Sequence, residues 1–63
     1  MSNVVFKAGN FYSDKEGKLF RLLFILDGKY IFHDFSDNLK KEITNPRVDN
    51  EILSYDSVSI AEW

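Results

Sequence analysis

Asp27-Gly28 stands between two apolar runs, and no other pair constrains the fold of this chain as much. Asp-Gly is a preferred pair for the two-residue type I′ hairpin turn, in which both central residues take positive φ and the twist matches that of the flanking strands. Before it, Lys18 to Leu26 carries Leu19, Phe20, Leu22, Leu23, Phe24, Ile25 and Leu26, with Arg21 as the only interior charge. After it, Lys29-Tyr30-Ile31-Phe32-His33-Asp34-Phe35 is rich in the aromatic and β-branched residues that favour strands. A two-residue loop pairs Leu26 with Lys29. Counting outward then pairs Ile25 with Tyr30, Phe24 with Ile31, Leu23 with Phe32, Leu22 with His33, Arg21 with Asp34 and Phe20 with Phe35. In that register the two interior charges face each other with opposite signs, a cross-strand pair that stabilises a sheet.

The flanking segments supply further short elements. Val4, Val5 and Phe6 read as extended, Ala8-Gly9-Asn10 as a break or bulge before Phe11 and Tyr12, and Ser13 to Gly17 as a turn. Ser36 to Thr44 has two readings. It is a short helix with Ser36 or Asp37 as N-cap and Leu39 and Ile43 spaced i,i+4, or a turn at Asp37-Asn38 followed by a strand. Asn45-Pro46 closes it in either case. In the tail, Ser54 to Asp56 breaks the pairing, and Ser57-Val58-Ser59-Ile60 alternates as a half-buried strand does. Without an internal repeat or a Pro/Gly/Ser-rich linker, residues 1–63 form a single domain. The expected fold is all-β or β-dominant α+β, with at most one short helix near 37–44. Around the central hairpin it is either a small curved antiparallel sheet or an SH3-like barrel, a likeness of pattern only.

Composition limits the function classes. A chain of 63 residues buries a modest fraction of its surface, yet 44% hydrophobic and 16% aromatic residues are too many for a disordered tail. No cysteine is present, so neither disulfides nor thiolate metal sites support the fold. Met1 to Lys7 lacks the basic and apolar regions of a signal peptide, and no apolar run approaches the roughly 20 residues of a membrane span, so the expected location is cytoplasmic. A net charge of −2 with scattered basic residues gives little electrostatic support for phosphate binding.

Residue types that carry chemistry are sparse. His33 is the single histidine, and Asp34 beside it points to the opposite face of a strand, so no Ser-His-Asp triad is suggested. One histidine, no cysteine and no clustered carboxylates make no transition-metal site, and no phosphate-cradling glycine motif or EF-hand loop occurs. The expectation is a non-enzymatic protein with no cofactor.

The hairpin is nevertheless apolar on both faces. Leu19, Leu23, Ile25, Tyr30 and Phe32 line the side away from Phe20 and Phe24 in the simple register, where a half-buried sheet would be polar. Either the rest of the chain folds over this side or it docks elsewhere, since large exposed apolar patches mark interfaces. The candidate partner-binding residues are Leu19, Arg21, Leu23, Ile25, Tyr30, Phe32 and Trp63, with Arg21 among aromatics as a typical interface anchor. The expected function is that of a small protein-binding domain of bacterial or phage kind, a regulator, inhibitor or accessory subunit of a larger protein. Its partner would be another protein or a second copy in a homodimer. The alternatives are a small β-barrel that binds single-stranded nucleic acid and a structural homo-oligomer subunit.

Overall fold

The computed structural model describes residues 6–61. Seven strands follow one another: β1 (Phe11–Ser13), β2 (Leu19–Leu26), β3 (Lys29–Asp34), β4 (Leu39–Thr44), β5 (Arg47–Asp49), β6 (Ile52–Ser54) and β7 (Ser57–Ile60). Five form one antiparallel sheet in the order β1-β2-β3-β4-β7, and β5 and β6 form a separate hairpin. The sheet is not closed into a barrel, so the likeness to an SH3-like barrel stops at the strand pattern. Among the described residues there is no helix, and hence none long and apolar enough to cross a membrane.

The central turn forms where the sequence places it, with φ of 51° at Asp27 and 74° at Gly28. Leu26 pairs with Lys29, Ile25 with Tyr30 and Phe24 with Ile31. The simple count then fails at Leu23, an extra residue on β2, and Leu22 lies opposite Phe32. Beyond this bulge Arg21 faces His33 and Phe20 faces Asp34, so the expected Arg21–Asp34 pair does not form. The physical reason is the bend that a bulge allows: an eight-residue strand wraps a six-residue one while Phe20, Leu22 and Phe32 all turn inward.

Of the two readings of Ser36 to Thr44, the turn followed by a strand is the correct one. Asn38 takes a φ of 56°, and β4 then pairs with β3 on one side and β7 on the other, which satisfies the backbone groups that a one-turn helix would leave open. Ser57 to Ile60 is a strand as expected, but all four residues are exposed instead of half-buried. Val4 and Val5 lie outside the described residues.

The core sits between the inner face of the sheet and the β5–β6 hairpin. Phe20, Leu22, Phe32, Ile43 and Leu53 are each at most 1% exposed, with Phe6, Tyr12, Tyr30, Val48 and Tyr55 packed around them. Phe32 meets Phe6, Tyr12 and Phe20 edge to face, at centroid distances of 6.3, 5.9 and 6.2 Å. Complete burial of such side chains stabilises the fold by roughly 1.5–3 kcal/mol each, so a domain this small rests on very few residues. Leu53 also bridges Asp14 in parallel, which ties the end of β1 to β6.

Candidate docking face

Strand alternation and the bulge decide which side chains reach the outer face, turned away from the β5–β6 hairpin. One cross-sheet row is Phe11, Arg21, His33 and Lys40, set by the pairs Phe11 with Arg21, Arg21 with His33, and His33 with Lys40. The neighbouring row toward the sheet end holds Ser13 and Leu19, with Phe35 bonded through its amide N–H to the Leu19 carbonyl oxygen at 3.1 Å. On the other side Ile31 pairs with Phe24 and Glu42.

The first two rows form an exposed aromatic cluster. Phe11 is 55%, Phe35 43% and Leu19 40% exposed, although the phenyl rings of Phe11 and Phe35 stack at 5.9 Å and 24°. Arg21 places its guanidinium carbon 5.5 Å from the centre of the Phe11 ring, a cation–π contact. His33 lies 4.4 Å from Phe35, ring centre to ring centre, and its Nε2 shares a 3.0 Å hydrogen bond with Asn38 Oδ1. These contacts hold the rings in place while leaving much of their surface in water, at an apolar patch bordered by cationic side chains.

The sequence-predicted face is divided by the bulge. Leu19 and Arg21 lie on the outer face, but Phe32 is fully buried in the core and cannot meet a partner in the folded domain. Tyr30 is half-buried against Phe6, 5.5 Å between ring centres, and Leu23 is half-buried at the bulge. Ile25 is exposed near the hairpin tip, and Trp63 lies outside the described residues. The simple count also set Phe24 and Phe35 on the same side as Phe20. Phe24 is half-buried and Phe35 exposed, because the shifted register sets Asp34, not Phe35, opposite Phe20. Phe11, His33, Phe35 and Lys40 were missed as members of one surface, and no local pattern signals the extra residue that brings them together.

The buried carboxylates are occupied by the fold. Asp14 Oδ1 accepts the N–H groups of Glu16 and Lys18 at 2.9 Å each, and Oδ2 accepts the Tyr55 hydroxyl at 3.4 Å. Burial, and then the charge of Asp14, push the Tyr55 hydroxyl above its ordinary pKa. Asp14, Glu16, Leu53 and Tyr55 help line a cleft of about 210 Å³, but its buried acid is already committed to the turn.

Asp34, 1% exposed, accepts the N–H of Ser36 at 2.8 Å through Oδ1. Its Oδ2 lacks a well-angled hydrogen bond and takes its counter-charge from Lys41 at 3.1 Å. Lys41 also donates to Asp37 at 2.6 Å. Burial acting by itself would raise the Asp34 pKa, but the Lys41 ammonium and the Ser36 and Asp37 amides outweigh it and hold it below the usual carboxylate range. Among the described residues, no group of three or more His, Cys, Asp or Glu side chains is placed to hold a metal ion.

Comparison with protein-family models, with curated proteins and with solved structures finds no match to this chain.

Proposed function

We propose that this domain is a non-enzymatic protein-binding module, a regulator, inhibitor or accessory subunit of a larger protein, and that it docks through the outer face centred on Phe11, Leu19, Arg21 and Phe35. The observation that carries this reading is the exposure of three large apolar side chains around one arginine, with the two phenyl rings already stacked. Held aromatics and arginine lose little freedom on binding and supply most of the energy at interface centres. Phe35→Asp tests it. The variant should keep the melting temperature of the parent and lose a partner that the parent retains from a nuclease-treated lysate at high salt. Equal retention by both proteins would remove this face from the reading.

A second reading rests on the row Phe11, Arg21, His33 and Lys40, in which an aromatic ring is followed by three nitrogen-bearing side chains. Single-stranded nucleic acid is bound by such combinations of stacking and phosphate contact. Fluorescence anisotropy with a labelled oligothymidine at two salt concentrations separates the readings, since phosphate contacts weaken steeply as salt rises.

A further inference from the structure

We propose that two copies of this chain associate through their β7 strands, in antiparallel two-fold register with Ser59 opposite Ser59 of the second copy, making one continuous sheet across the dimer. The site is distinct from the outer aromatic face.

The backbone of β7 has one side already taken. Ala61 donates its N–H to the Lys40 carbonyl oxygen at 2.9 Å, and Glu42 pairs with Ser59 and Thr44 with Ser57. In an antiparallel ladder alternate residues bond to the same neighbour, so Ser57, Ser59 and Ala61 direct their backbone groups at β4. Val58 and Ile60 direct theirs the other way, where no described strand lies. The opposite edge of the sheet is less open, because the residue after β1, Asp14, is bridged to Leu53 of β6.

Natural edge strands are guarded by lysine, proline, a bulge or a covering element. Ser57-Val58-Ser59-Ile60 has no charged residue and no proline, and its side chains at positions 58 and 60 are apolar with exposures of 40% and 62%. A second copy suits this edge better than an unrelated strand. In the stated register, Val58 of each copy exchanges both backbone hydrogen bonds with Ile60 of the other, so every outward group of the two strands finds a partner. Each valine then packs beside an isoleucine. Ser59 meets Ser59 at the non-hydrogen-bonded position, where strands come closest and a small side chain fits. Neither four-residue strand carries a charge, so the ladder of residues 57–60 itself sets no like charges side by side.

The register provides its own test. Proline at position 60 removes an N–H that faces away from β4, so Ile60→Pro should fold as the parent does. Sedimentation of the full chain from micromolar to millimolar concentration should show the parent reaching twice the monomer mass, with Ile60→Pro remaining at the monomer mass. In the parent, amide exchange at Val58 and Ile60 should slow as the dimer fills, whereas Ser57 and Ser59 stay equally protected throughout. Phe35→Asp should dimerise normally, which separates this proposal from the docking face. A parent that stays monomeric, protection of Val58 and Ile60 in the monomer, or a dimer that survives Ile60→Pro would each overturn it. Should Ile60→Pro fail to fold, Ile60→Lys gives the same comparison.

Discussion

At the scale of single residues, Asp34 and Lys41 bear more of the fold than their number suggests. Lys41→Met would leave a carboxylate at 1% exposure with only backbone donors, and removing one partner of a buried ion pair costs about 3 kcal/mol. Chemical denaturation of the variant checks this: a midpoint equal to that of the parent would show that Asp34 is solvated. The pair also sets a pH dependence. Because the folded state holds the Asp34 pKa down, the unfolded chain binds more protons in acid. This stabilisation is fully present above the unfolded carboxylate value of about 3.9 and lost as pH falls below it toward the folded value. Lys41, raised by Asp37 and then by Asp34, contributes in the opposite direction: its share is present below the unfolded lysine value of about 10.4 and lost as pH rises past the folded one. Melting curves should therefore fall at both ends for the parent, and the acid limb should weaken for Asp34→Asn. This pair could not be read from the sequence, because the simple register matched Asp34 to Arg21, and Lys41 belongs to a segment that also read as a helix.

At the scale of elements, turn chemistry explains which hairpins were legible. Asp27-Gly28 supplies residues suited to positive φ, and the turn, its two strands and the first three pairs follow. Gly28→Val should lower stability by at least about 1 kcal/mol, because a β-branched side chain resists the φ of 74°; an unchanged unfolding midpoint would contradict the strain. The β5–β6 hairpin turns instead at Asn50-Glu51, with φ of 54° and 65°. Glutamate is not a residue that marks such a turn, and the hairpin was invisible for that reason. Glu51→Gly should accordingly raise stability by roughly 0.5–1 kcal/mol, with the relief of strain exceeding the added freedom of the unfolded chain, read as a higher melting temperature. The bulge at Leu23 belongs to the same scale. Alternation reports which residues share a face only while each residue has one partner, and nothing local to Leu22-Leu23-Phe24 shows that one of them has none.

At the scale of the whole molecule, a single layer of sheet has to satisfy two apolar faces with one small hairpin to cover them. The β5–β6 hairpin covers the inner face, and the outer one keeps Phe11, Leu19 and Phe35 in solvent. That the sheet would be apolar on both sides was legible, but which residues stood on which side was not, since the count crossed Leu23 without slipping. Phe32→Asp should therefore unfold the domain, in contrast to Phe35→Asp, as circular dichroism of the two would show. Leu23 also bears on how such a chain can change over generations. Because Leu23 has no cross-strand partner, losing that one codon would leave every pair of β2 with β3 in place and turn the bulge into a regular ladder. A codon gained between Arg21 and Leu22 would instead shift the start of β2 by one residue, turning Phe20 to water and driving Arg21 inward. A codon gained at Lys15 or Glu16, in an exposed turn, disturbs no such phase. Descendants of this chain should therefore vary freely in the length of that turn, whereas β2 should tolerate the loss of its bulge residue but not the gain of another.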